Sequence, residues 1–107
     1  MDARTHAHYE AQARIVKAMA HASRLFIVDE LSRNGEKCVC ELTEMIGADM
    51  STVSRHLSML KGAGLLRDEK RGQMVYYSLC VKCVVSFFDC IESVMECNAK
   101  SQQELLN

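Results

Sequence analysis

The sequence predicts a mainly α-helical domain of five to six helices that carries one β-hairpin: a helix-turn-helix followed by a wing. Three observations predict it. Apolar residues recur at helical spacing in separate segments, most cleanly at Val53, Leu57 and Leu60, which share one narrow stripe at about 100° per residue. Glycines close those segments at Asn34-Gly35, Gly47 and Gly62-Ala63-Gly64, as expected of helix ends that need positive φ. Val75, Tyr77 and Leu79 alternate to one face behind an Arg71-Gly72 turn, the period of a hairpin strand. The 107 residues suffice for one domain with one core, and 49% apolar with 25% charged residues is a globular balance that excludes wholesale disorder.

Taken in order, residues 5–20 read as an Ala-rich helix with Ile15, Val16 and Met19 as its apolar positions. Such a helix buries little alone and is expected to pack closely on another, including one from a second subunit. Ser23 is the expected cap of a second helix to about residue 33, anchored by Leu25, Phe26, Val28 and Leu31. A short third helix over 39–46 places Leu42, Met45 and Ile46 on one side. A tight turn at 47–49 leads into the helix over 49–64, where Asp49 or Ser51 can cap. Two short helices joined by a Gly-containing turn are the helix-turn-helix signature. Strands are expected over 65–69 and 74–79, and a last helix from about 81 to 105.

The 49–64 helix carries the first chemical signal. Opposite its apolar stripe lie Ser51, Arg55 and Ser58, flanked by Ser54 and Met59, with no carboxylate from Met50 to Ala63. Short hydroxyls and one arginine suit close approach to DNA, where Ser bonds phosphate or base and Arg reads guanine. Ser51, Ser54 and Arg55 are therefore expected in the major groove, with Thr52, His56, Ser58 and Lys61 near the backbone. Lys70, Arg71 and Gln73 at the hairpin tip are expected to reach an adjacent phosphate or minor groove. Charge follows the same division. The chain is −1 overall, yet residues 50–73 hold five basic groups against Asp68 and Glu69, while residues 29–49 hold six acids against Arg33 and Lys37. A positive block of this kind is the footprint of a nucleic-acid surface.

No apolar run reaches membrane-span length, and the polar start of the chain lacks the apolar core of a secretion signal. A cytoplasmic setting is expected, in which the six cysteines stay reduced and free for structural, metal or redox use. Cys38 and Cys40 flank Val39 where the chain enters the third helix. Inside a regular helix residues two apart point about 200° apart; at an uncommitted first turn two sulfurs can converge. Free N–H groups there are expected to lower a thiol pKa toward the thiolate, the form that takes soft ions. Cys83, Cys90 and Cys97 recur by seven and, with Phe87 and Val94, form an a/d-type seam. Cys80 and Cys83 make one C-x-x-C without a second copy or a βαβ pattern, which argues against a thiol oxidoreductase. His6 and His8 near the N-terminus are weaker metal donors, and His21 reads as structural.

With AHASRLFIVDEL, CVCEL, STVSRHLSMLKGAGLL and RGQMVYYSL in this order, residues 13 to 97 resemble the ArsR/SmtB family of winged-helix metal-responsive repressors. CVCEL most resembles its arsenic-responsive members. The resemblance implies a homodimer joined through its first and last helices, no enzymatic activity, and double-stranded operator DNA as partner in place of a membrane or small organic substrate. It implies release from DNA when As(III) or Sb(III) binds thiolates that include Cys38 and Cys40. Where the arsenic-responsive pattern has a third cysteine this chain has Thr43, so the third ligand stays open among Cys90, Cys97 and Cys83. Trivalent arsenic asks for three sulfurs, while Cd(II), Pb(II) or Zn(II) would ask for three or four. A redox or persulfide sensor on the same scaffold is the nearest rival.

Overall fold

The computed structural model describes residues 1–106. Across them run α1 (Ala3–Met19), α2 (Ala22–Asn34), β1 (Lys37–Cys38), α3 (Val39–Ile46), α4 (Met50–Gly62), β2 (Leu66–Arg71), β3 (Met74–Leu79) and α5 (Val84–Leu106). The mainly helical architecture and the hairpin are those the sequence predicts, with five helices.

α4 is the centre of the core. Val53, Leu57 and Leu60 are all fully buried, so the stripe read from the sequence is the packed one. Burial of each such side chain is worth about 1.5–3 kcal/mol. They meet Ile27, Val28 and Leu31 of α2, Leu42 of α3, and Leu66, Tyr77 and Leu79 of the sheet. Two expected anchors and one expected cap differ. Phe26 and Met45 are exposed at 38% and 47%, because α2 turns Ile27 inward in place of Phe26 and the eight-residue α3 has only Leu42 fully inside. Nor does Ser23 cap α2. His21 does, its Nδ1 accepting from the Ser23 N–H at 3.1 Å.

β2 and β3 pair antiparallel from Leu66↔Leu79 to Arg71↔Met74. The two-residue turn between them places Gly72 at φ +63°, a conformation that side chains disfavour. A third strand, absent from the sequence reading, completes the sheet in the order β1-β3-β2. β1 pairs Lys37 with Tyr77 and Cys38 with Tyr76.

α1 and α5 leave apolar surface uncovered. α5 lays Val84 and Phe88 on the core, and Arg33 of α2 pairs with Asp89 at 3.0 Å. Cys83, in the turn before α5, and the α5 row of Phe87, Cys90, Val94 and Cys97 are exposed, as are Ile15 and Val16 of α1. No described helix is long and apolar enough to cross a membrane.

Candidate nucleic-acid interface and thiol site

The turn between α3 and α4 is built from two local devices. Gly47 adopts a left-handed conformation at φ 77° and closes α3 on the Thr43 carbonyl. Asp49 then caps α4, accepting from the Ser51 hydroxyl at 2.7 Å and the Thr52 hydroxyl at 2.5 Å. Those two hydroxyls, the Thr52 contact foremost, hold the Asp49 carboxyl down to about 2. Ser51 and Thr52 thus donate to the cap and fix the pitch of the helix. Arg55 and Ser58 are exposed and Ser54 half-buried on the outer face. Among the described residues Arg55 has no ion-pair partner.

His56, at the edge of the α4 stripe and open in sequence to either packing or phosphate contact, is buried. Its Nδ1 accepts from Arg24 Nε at 3.1 Å, and its ring lies 4.4 Å from that of His21. Arg24 also donates to the Ala18 carbonyl at 3.3 Å. Burial first, then the neighbouring His21, Arg24 and Arg55, hold the imidazole below its ordinary value. His56 is an internal strut joining α2 to α4, and it leaves the list of groove contacts.

The wing is also more committed than its sequence suggests. Arg71 donates to Glu36 at 2.6 and 3.0 Å and to Glu69 at 2.9 Å, and lies 4.7 Å over the Tyr76 ring. Its guanidinium therefore latches the hairpin to the residue just ahead of β1. Lys61 pairs with Asp68 at 2.9 Å. Lys70 and Gln73 remain exposed at the tip.

Cys38 caps α3 in an extended conformation (φ −81°, ψ 161°), and Cys40 follows in the first helical turn. Cys38 is buried and Cys40 exposed. Glu41 reaches back to accept from the Cys38 N–H at 3.1 Å, which lowers the Glu41 carboxyl. The expected lowering of the thiol pKa fails at Cys38. Burial raises it, outweighing the Glu41 backbone N–H that favours the thiolate. Thr43 spends its hydroxyl on the Val39 carbonyl at 2.7 Å.

The two thiols share a cleft of about 240 Å³ with Met50 and Ser54 of α4 and with Gln73, Met74 and Val75 of the wing. Neither Met74 nor Val75 was singled out in sequence as part of this site. Among the described residues no group of three or more His, Cys, Asp or Glu side chains is placed to hold a metal. Cys83, Cys90 and Cys97 are therefore not gathered with Cys38 and Cys40 inside one subunit, and all three are exposed together with Cys80. His6 is paired with Glu10, and His8 contacts Gln12.

An outward helix of small hydroxyls and arginine, set on a helix-turn-helix and flanked by a hairpin, defines a winged helix-turn-helix regulator. The pattern described as "Bacterial regulatory protein, arsR family" matches residues 21–68. An HTH-type transcriptional regulator of Methanocaldococcus jannaschii is 38% identical over 69 residues, covering 64% of this chain and 78% of that one. The chain belongs to the ArsR family of bacterial regulatory proteins. It is 40% identical over 67 residues to a cadmium resistance regulatory protein CadC homolog of Staphylococcus aureus, and 42% identical over 65 residues to the arsenic resistance regulator ArsR1 of Pseudomonas putida. These matches cover 63% and 61% of the chain, which spans about half the length of either relative, 55% and 51%. Among solved structures, a homodimeric winged helix-turn-helix DNA-binding domain from Mycobacterium bovis superposes with a TM-score of 0.77 at 29% identity, covering 94% of this chain and 93% of that one.

Proposed function

We propose that this chain is a thiol-gated transcriptional repressor of the cytoplasm. Two copies bind double-stranded operator DNA, and a thiophilic ion held by Cys38 and Cys40 releases it. One observation carries the reading: Cys38 and Cys40 line a cleft whose other walls are the start of α4 and the wing. The sensing residues thus touch both elements that would read DNA.

The DNA surface follows from the exposed face of α4. Ser54 and Arg55 enter the major groove, Ser58 and Lys61 stand near the backbone, and Lys70 and Gln73 reach from the wing. Ser51 and Thr52 hold the approach angle through the Asp49 cap and can still accept at their oxygens. The exposed rows of α1 and α5 bury each other between two copies, consistent with the homodimeric M. bovis neighbour. Recognition helices then meet a palindrome about one DNA turn apart, roughly 34 Å.

Cys38 is extended at the cap and paired to Tyr76 through β1. Drawing Cys38 and Cys40 onto one ion must reshape the first turn of α3. That shift passes to α4 through the turn at Gly47 and to the wing through β1 and the Glu36–Arg71 latch. A coupling of about 1–3 kcal/mol weakens operator affinity roughly 5- to 150-fold, provided the ion favours the DNA-free shape. The arsenic and cadmium relatives both support an ion inducer. With two sulfurs from each subunit, As(III) or Sb(III) takes its third from Cys83, Cys90 or Cys97 of a second copy; Cd(II), Pb(II) or Zn(II) are served by the same thiols. X-ray absorption of arsenite-loaded and cadmium-loaded protein tests this. The sulfur count should fall in Cys38→Ser and in Cys40→Ser, and an unchanged count in both would refute the assignment.

A further inference from the structure

The thiol cleft holds more sulfur than the cysteines supply. Its lining includes Met50 and Met74 beside Cys38 and Cys40, so four sulfur-bearing residues border one cleft of about 240 Å³. Met50 is 51% and Met74 37% exposed. Neither belongs to the core cluster. What sets them apart from the equally exposed Met45, Met59 and Met95 is their place beside Cys38 and Cys40 in the cleft.

Their positions matter as much as their chemistry. Met50 is the first residue of α4 and Met74 the first of β3. Both elements adjoin α3, and β3 also pairs with the β1 strand that leads into it. An ion bound jointly by the cysteines and either thioether would fasten α3 directly to the recognition helix or to the wing. No relay through the core is then required.

We infer that a thioether of Met50 or Met74 completes the ligand set with Cys38 and Cys40, and that this set accepts a soft monovalent d10 cation such as Cu(I). Thiolates and thioethers together select such ions, whereas harder divalent ions gain little from a thioether. The coordination is redox-neutral. Each cysteine gives its proton to solvent as its sulfur binds, and the thioether, having none, donates a lone pair. The inference rests on Cys38 and Cys40 being the sensing thiols and adds a further class of ion and, for that ion alone, a third donor from the same subunit.

Ag(I) is an air-stable probe for the test. The full chain, labelled with ¹³C at the methionine ε-methyls, is titrated with one equivalent of Ag(I). Of the seven methionines, only Met50 or Met74 should show a large methyl shift. The corresponding Met50→Leu or Met74→Leu protein should lose at least about tenfold in Ag(I) affinity, the lower end of the effect of removing support around a metal. Its Cd(II) affinity should stay within about threefold of wild type. Both positions are exposed, so the leucine variants should keep the wild-type thermal midpoint. Ag(I) binding with neither methyl shifting, and both leucine variants binding as wild type, overturns the inference while leaving the thiols in place. Cys38→Ser and Cys40→Ser proteins that still bind Ag(I) like wild type overturn the thiol reading itself.

Discussion

Replacing His56 with alanine separates two roles that its position in α4 would permit. In the structure His56 is 8% exposed, and its ring accepts from Arg24 Nε at 3.1 Å and packs 4.4 Å from that of His21. Removing it leaves the half-buried Arg24 guanidinium without that acceptor, a loss of about 1.5–3 kcal/mol for a hydrogen bond to a charged group. The emptied ring volume adds to it, so His56→Ala should cost about 2–4 kcal/mol. For a domain near 100 residues that is a fall in Tm of roughly 10–25 °C. The assay is thermal denaturation by circular dichroism, paired with fluorescence anisotropy on a palindromic duplex recovered by selection from random sequence. Operator affinity of the folded variant, measured well below its Tm, should stay within about threefold of wild type. A stability loss under about 0.5 kcal/mol together with a tenfold loss of DNA binding would refute the argument and return His56 to the groove.

Two further outcomes follow from the same geometry. His56 is held below its ordinary value near 6.5 in the folded chain, so the unfolded chain binds more protons as pH falls. Stability should be full above that value and decline below it; denaturation at pH 7.5 and 5.5 should show the decline in wild type and a smaller one in His56→Gln, and equal declines would discount the histidine. Arg55→Ala should weaken binding to the selected duplex more than to a scrambled one, since guanine readout is sequence-specific and phosphate contact is not; equal loss on both would assign Arg55 to the backbone.

The sequence disclosed most where the signal was local. Val53, Leu57 and Leu60 repeat at the helical period, and all three are fully buried. Gly47 and Gly72 mark turns that do require positive φ. The hairpin alternation at Val75, Tyr77 and Leu79 faces the core as its period implies. What stayed hidden depends on partners far along the chain. β1 is two residues long and exists only through its pairing with Tyr76 and Tyr77, so no periodicity could announce it. His56 sits at the edge of the α4 stripe, and Arg24, 32 residues away, decides its role. Arg71 reads as a free wing cation until Glu36 is brought across the sheet edge to meet it.

The thiols illustrate the same division. That Cys38 and Cys40 stand at the start of a helix was legible from spacing. That burial raises the Cys38 thiol, against the helix terminus, was not, because its burial is made by the fold and leaves no mark in the spacing. Cysteine spacing is what a sequence displays, and it points to Cys83, Cys90 and Cys97 for the third donor. The methionines beside the site belong to other elements and carry no spacing signal.

Release of DNA tests the central claim most directly. Wild type, Cys38→Ser and Cys40→Ser are titrated onto the selected duplex by fluorescence anisotropy, each with and without arsenite, cadmium and Cu(I) held at a fixed free concentration. Wild type should lose roughly 5- to 150-fold in affinity with at least one of these ions, and both serine variants should bind as tightly with that ion as without it. Wild type releasing DNA while both serine variants release it at the same ion concentration would contradict the account.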